Sequence, residues 1–408
     1  MLEPSLIVNP RARLHVEPTD GAIDAIAVRA PVKNAGLCVT TIRRETDSAI
    51  FSVLLIYKAT LDTRAATVGL SDAERSRLKE IGFLIHPDQA SEPVAFVCDV
   101  ENLPTDALPL RARATDEGEP PPQVASSRRV ESLGADGPTE AMRGRLALPN
   151  PFQQDRAWFR VEDPELSAPG FYSCAPEHAT AVQHVFAGTD VHHDLSRETV
   201  AQLARAGVLQ SPSQTAVSRV ERTKRLGAAR AELQARRYTV LRDVIRPLQL
   251  AAVRRYYRDL IAQGFVQFGD ADWPNRYFAK RDALAYCFHQ QLTDVVSDVA
   301  GERVKPSFAF LTSYCAGSVL RPHKDREQCH YSLSILLDHQ PEPDDVSPWP
   351  IYVQPPGAET ATPIHNRLGD GLLYFGEEVL HYREPLQSGS STLWFFFYVP
   401  ESFSGALD

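Results

Sequence analysis

The sequence predicts an α+β fold, with small mixed α/β modules on the N-terminal side and a C-terminal jelly roll with flanking helices. Three observations predict it. The chain has 408 residues, more than one ordinary domain at roughly 150 residues each. From Ala112 to about Gly144 it turns rich in Pro, Gly, Ser, Glu and Arg and loses apolar periodicity, as a break between folded parts does. Beyond Tyr238, helical patterns come first and many short strand-like runs come after them, which suits a jelly roll with helices packed on one face.

Up to about residue 110, the apolar runs Ala49–Tyr57 and Pro93–Val100 read as strands among polar turns and one clear helix. The expected domains are a mixed α/β module over 1–111, a flexible linker over 112–149, a second small module over 150–212, a connecting helix over 213–237, and the jelly-roll domain over 238–408. Leu70–Leu84 (LSDAERSRLKEIGFL) and Leu195–Leu209 (LSRETVAQLARAGVL) share Leu-Ser, an inner Leu, a Gly and a final Leu at identical offsets. Ser71 and Ser196 can cap a helix start, and Gly82 and Gly207 can take the left-handed position at its end. Either helix-strand grammar alone or two copies of a winged-helix-like module would produce that match.

Composition excludes several classes. Hydrophobic residues make up 43% and charged residues 23%, as in globular proteins rather than disordered or fibrous ones. No apolar stretch approaches the ~20 residues of a membrane span. The first residues lack the pattern of a signal peptide, so a cytoplasmic location is expected. Six cysteines without C-x-x-C spacing read as reduced thiols. A formal charge of -9 speaks against a surface devoted to nucleic acid. One basic stretch, Arg219–Arg258, reads either as a solvated helical face or as a surface for an acidic partner. The pair His192-His193 is a weak metal candidate, because adjacent residues of an extended segment point apart.

The chemistry concentrates in two segments, Ser313–Asp338 and Gly369–Leu386. They carry His323-x-Asp325 and then His381. Two imidazoles and a carboxylate on one face of an octahedral ion make the facial triad of non-haem iron(II) oxygenases, leaving three positions for co-substrate and oxygen. Residues two apart on a strand point the same way, so His323 and Asp325 can share an ion while Lys324 turns from it.

With Tyr314, Gly317, Leu320 and the triplet Gly369-Asp370-Gly371 around these ligands, the last 170 residues or so resemble the prolyl-hydroxylase-like branch of the iron(II)/2-oxoglutarate oxygenases. The resemblance implies a double-stranded β-helix of cupin-like kind, with iron(II), 2-oxoglutarate and O2 as cofactors and ascorbate as a reductant. It also implies that Tyr314 hydrogen-bonds the co-substrate. One departure is plain. The branch places a Lys or Arg ten residues past the distal His, where this chain has Ser391. Arg383, two beyond His381 and on the same face of an extended strand, is therefore the expected carboxylate partner, with Ser391 and Thr392 as helpers. The other reading of Arg383 is a surface pair with Glu384. Arg321, Arg326 and Tyr331 are expected at the substrate, and Trp349 and Trp394 in the core.

The expected activity is hydroxylation of an unactivated C–H bond with release of succinate and CO2. Asp325 favours hydroxylation, since related halogenases carry Gly or Ala there. The substrate is expected to be a peptide, a protein or a small molecule, recruited by the N-terminal modules, with a homodimer as a further expectation. The alternatives are the same chemistry on a free metabolite, or a non-catalytic jelly-roll or peptide-binding module.

Overall fold

A computed structural model of the chain describes residues 7–8, 12–19, 22–32, 36–60, 70–86, 89, 94–113, 130–134, 151–162, 168–188, 195–205, 208–209, 212–269, 275–280 and 282–407. Two compact units emerge. The first comprises residues 1–94 and 258–267, the second 95–257 and 268–408.

In the first unit, β1 (Ile7–Val8) is followed by β2 (Arg13–Thr19), β3 (Ala22–Val32) and β4 (Gly36–Arg43), the last three forming an antiparallel sheet in that order. Two helices come next, α1 (Ser48–Thr60) and α2 (Asp72–Glu80), and then β5 (Leu84–Ile85), which pairs with β1. The run Ala49–Tyr57, expected as a strand, lies in α1. Its fourth-residue spacing places Ile50, Phe51 and Leu54 in one core with Ile26, Val28, Ile42, Leu78 and Phe83, so tertiary burial overrides β-propensity. Ser71 caps α2 in a complete capping box with Glu74. Gly82 sits at φ +71, where an added Cβ would also meet Ala30 and Val32 at 3.1 Å.

The second unit begins with α3 (Leu110–Arg113) and an antiparallel sheet of β6 (Val130–Gly134), β7 (Ala157–Val161) and β8 (Gly170–Cys174), followed by α4 (Ala179–Ala187) and α5 (Arg197–Arg205). The stretch expected as a linker thus contributes β6, held in register against β7. Thr199 N–H donates to Ser196 Oγ, capping α5; Gly207, like His192 and His193, lies outside the described residues. Both copies of the repeated motif therefore end a run of three strands and two helices.

The second small module shares a core with the C-terminal helices. Phe96, Phe152, Trp158 and Phe171 form one aromatic cluster with Tyr256 and Phe288. Gln249 bonds both the N–H and the C=O of Phe171. Buried Arg254 ties Ala107 O to Asp338 and Glu342.

The remaining elements are α6 (Pro212–Arg236), β9 (Tyr238–Leu241), α7 (Pro247–Ala262), β10 (Gln267–Phe268), β11 (Arg276–Lys280), α8 (Ala283–Gln291), α9 (Thr293–Ala300), β12 (Val304–Cys315), β13 (Leu320–His323), β14 (Tyr331–Gln340), β15 (Ile351–Gln354), β16 (Thr362–Ile364), β17 (Gly371–Phe375), β18 (Leu380–Arg383) and β19 (Ser390–Pro400). They build a seven-stranded sheet, β10-β11-β12-β19-β14-β17-β9, and a four-stranded one, β13-β18-β15-β16. Several antiparallel sheets in a mixed α/β chain are consistent with the expected jelly roll. Alternation along each strand gives the large sheet two distinct faces. On one, Tyr238, Leu372 and Tyr374 pack with Ile351 and Val353 of the small sheet. On the other, Trp394 meets Tyr257 and Phe288, and Tyr398 meets His289.

Much of the basic stretch is paired within the chain. Arg222 pairs with Asp298, Arg237 with Glu378, Arg242 with Asp370, and Arg254 with Asp338 and Glu342. Arg225 and Arg230 donate to backbone carbonyls. These cations hold the fold together and are spoken for.

Candidate metal centre

Strand pairing brings the two histidines together. His323 and His381 are cross-strand partners on β13 and β18, with ring centroids 4.2 Å apart. Asp325 comes just after β13, where its N–H donates to the carbonyl of Gly376, the residue that follows β17. Its Oδ1 lies 3.5 Å from His323 Nε2 and 3.6 Å from His381 Nε2. Bonds of about 2.1 Å put adjacent ligands of an octahedral ion roughly 3 Å apart, so a small inward adjustment of three flexible side chains would hold a cation. Among the described residues, this is the group of His, Cys, Asp and Glu side chains placed to bind one.

The surrounding bonds prepare the ligands. His323 Nδ1 is 2.8 Å from Arg321 O, and His381 Nδ1 is 3.0 Å from Val379 O. A carbonyl only accepts, so each Nδ1 carries the proton and each Nε2 presents its lone pair to the centre. Ser332 Oγ donates to Asp325 Oδ2 at 2.6 Å, occupying one carboxylate oxygen and leaving the other to the metal. Gly376 is required here, because a Cβ would stand 2.6 Å from Ser332 Oγ and 2.8 Å from Asp325 Oδ2. His323 is partly open to solvent and His381 is buried. Asp325 draws the His323 pKa up, whereas burial pushes that of His381 down.

No protein-family model and no curated protein matches this chain. Solved structures do. A 2OG-Fe(II) oxygenase family oxidoreductase from Burkholderia pseudomallei is 14% identical, covering 44% of this chain and 92% of that one, with a TM-score of 0.36. A prolyl-4-hydroxylase from Pseudomonas putida is 14% identical, covering 43% and 98%, with a TM-score of 0.35. A prolyl hydroxylase from Trichoplax adhaerens, solved with a peptide fragment of hypoxia inducible factor, is 11% identical, covering 43% and 90%, with a TM-score of 0.35. The solved structures similar to this chain thus include a 2OG-Fe(II) oxygenase family member and prolyl hydroxylases. The chemistry of the site rests on its own residues.

The second half of the site is a buried cation. Arg383 is 3% exposed, one alternation beyond His381 on β18, and no carboxylate pairs with it among the described residues. The pairing with Glu384 weighed from the sequence is not formed. Arg383 Nη1 donates to Trp349 O at 2.9 Å and the guanidinium lies 4.7 Å from the centre of the Trp349 ring, while Nε has no partner. Burial pulls its pKa down to about 10. Around it stand Tyr314, which packs edge-on to Trp349 at 5.0 Å, and the row Tyr314–Ser391–His339 across β12, β19 and β14. Ser391 Oγ is fully buried without a hydrogen-bond partner. An uncompensated guanidinium with an orphaned hydroxyl nearby suits a bound carboxylate.

Two expected residues point elsewhere. Thr392 comes after Ser391 on an extended strand and so faces the other side, where its hydroxyl meets Ser313 Oγ at 2.8 Å. Tyr331 lies on that same outer face, paired across strands with Tyr398 and donating to Glu302. Arg321 is exposed beside His323, and Arg326 lies over the Phe308 ring at 4.7 Å. Trp394 is core, whereas Trp349 belongs to the site. Sequence reasoning passed over Ser332, Tyr374 and Gly376, and read His339 as a surface or core residue. Cross-strand register places them, and no local spacing signals it. No described helix is long and apolar enough to cross a membrane.

Proposed function

We propose that this chain is an iron(II)- and 2-oxoglutarate-dependent oxygenase that hydroxylates an unactivated C–H bond, its two facing sheets being the halves of a double-stranded β-helix. The observation that carries the reading is the pairing of a His323/Asp325/His381 donor set with the uncompensated buried Arg383 on the same strand as the distal histidine. Iron(II) and 2-oxoglutarate bound there supply the oxidising chemistry, with succinate and CO2 as co-products.

The chain's own residues do the rest. Arg383 takes the far carboxylate of the co-substrate in its fork, and Tyr314 and Ser391 offer hydroxyl hydrogen bonds to it. Ser332 and the two carbonyls hold the ligands in orientation, and Tyr374 closes the inner side with its hydroxyl 3.3 Å from His381 Nε2. The half-open side at His323 is left for substrate. Anaerobic addition of iron(II) and 2-oxoglutarate to the whole protein should produce a weak visible charge-transfer band, and air should then release succinate. Absence of the band with both partners present overturns the reading and favours a non-catalytic module.

The substrate reading is a peptide or protein side chain. Support comes from the first unit, where β4 is an edge strand carrying Val39 at 57% exposure, suited to pairing with an extended peptide. A winged-helix-like pair of modules recruiting such a peptide is the role we assign to the repeated strands and helices. The alternative, chemistry on a free metabolite, predicts that separate small molecules stimulate succinate release as well as peptides do.

A further inference from the structure

The face of the large sheet that carries Ser332 and Tyr374 continues as an aromatic surface across β19, β12 and β11. Register sets the rows. Ser332 pairs with Phe397 and Ser334 with Phe395 across β14 and β19; Phe395 pairs with Phe310 on β12, and Phe310 with Lys280 on β11. Phe308 stacks on Phe397 at 4.5 Å, Phe310 on Phe395 at 5.0 Å, and Phe278 leans on Phe310 at 5.3 Å. The wall therefore begins one strand from the serine that holds Asp325. Phe395 and Phe397 are buried beneath it, whereas Phe278, Phe308 and Phe310 stay partly exposed although they face inward. Packing normally closes such rings, so they line an opening to solvent.

Cations rim the same opening. Arg326 lies over Phe308 at 4.7 Å and Lys280 is 5.6 Å from the centre of Phe278. Both are exposed, and neither forms an ion pair with a described residue. The contrast is with cations of the basic stretch such as Arg222, Arg237, Arg242 and Arg254, each of which is paired with a carboxylate. In a chain of net charge -9, unneutralised cations beside these rings provide charge complementarity for an anion.

The geometry points to a substrate subsite at Phe278, Phe308 and Phe310 that takes an aromatic ring flanked by carboxylate, with Lys280 and Arg326 meeting the negative charge. This inference rests on the oxygenase reading of the same site and names its substrate class. A ring entering there gains offset or edge contacts with three phenyl groups.

The test uses the whole protein with 2-oxoglutarate and either iron(II) under argon or nickel(II). The probes are the pentapeptides Glu-Glu-X-Glu-Glu with X as Phe, Tyr, Trp or Leu, the peptide Lys-Lys-Phe-Lys-Lys, and N-acetylphenylalanine as the free form of the same chemistry. Binding is read by calorimetry and by the shift of the charge-transfer band. Aromatic acidic peptides should bind at least about tenfold tighter than the Leu peptide, and the Lys peptide should bind least. Phe310→Leu, checked for fold by circular dichroism, should erase most of the aromatic preference. Lys280→Glu combined with Arg326→Glu should reverse the charge preference. Equal binding of the Phe and Leu peptides to the parent protein overturns the inference, as does an unchanged preference in folded Phe310→Leu. Binding of N-acetylphenylalanine as tight as that of the peptides keeps the subsite and assigns it to a free aromatic acid. A missing charge-transfer band is the separate failure of the oxygenase reading, whereas a normal band with no aromatic preference fails this inference alone.

Discussion

Ser332 Oγ donates to Asp325 Oδ2 at 2.6 Å from the strand facing the metal site. The bond spans only seven residues of sequence, yet it depends on Gly376 from β17's end, whose missing Cβ leaves room for both partners. Ligands held in this way lose less freedom when a cation binds. Ser332→Ala should therefore weaken metal affinity by roughly 10–100-fold with little effect on the fold, as measured by competitive metal titration. Gly376→Ala should do more damage, because the new methyl would clash with the Cys329 carbonyl and crowd both Ser332 and the carboxylate.

Removing a ligand should be more severe still. His323→Ala, Asp325→Ala and His381→Ala should each abolish iron-dependent turnover of 2-oxoglutarate and retain the far-ultraviolet dichroism of the parent. Full turnover in all three would place the metal elsewhere.

Arg383 sets binding against stability. A buried cation without a carboxylate is costly to the empty protein, whereas a bidentate charge-assisted pair returns about 1.5–3 kcal/mol when co-substrate arrives. Arg383→Met should raise the 2-oxoglutarate requirement at least about tenfold while leaving the thermal midpoint of the metal-free protein unchanged or higher. A lower midpoint with normal co-substrate affinity would make Arg383 a structural residue.

His339 gives a pH signature. It is 2% exposed, and burial together with the Arg383 charge holds its pKa below the usual 6.5. The unfolded chain takes up this proton near pH 6.5 but the folded chain only at lower pH, so the contribution is fully present above 6.5 and is lost as pH falls toward the folded value. Denaturant titrations of His339→Gln should show a shallower loss of stability than the parent between neutral and mildly acidic pH. Equal slopes would mean that His339 titrates normally.

In the first unit, Ser71→Ala should cost about 1 kcal/mol by removing the cap of α2. Gly82→Ala should cost more, since it adds strain at φ +71 and crowds Ala30 and Val32. Chemical denaturation of the two variants side by side checks the order.

By itself, the sequence determined what depends on neighbours along the chain. His323-x-Asp325 is a strand-spacing pattern, Arg383 falls on the His381 face by alternation, and Ser71 and Ser196 announce their helices through local hydrogen bonds. Alternation also argues against Thr392 as a companion of Ser391, since adjacent strand residues face opposite sides. Only the tertiary structure decided the remainder. Ala49–Tyr57 is helical because burial of Ile50, Phe51 and Leu54 outweighs their strand preference. Ser332 reaches Asp325, His339 and Tyr314 flank Ser391, and five phenylalanines gather on one face of the large sheet because hydrogen-bonded register joins residues far apart in the chain. That register is a collective property of the whole sheet, and no short window of residues contains it.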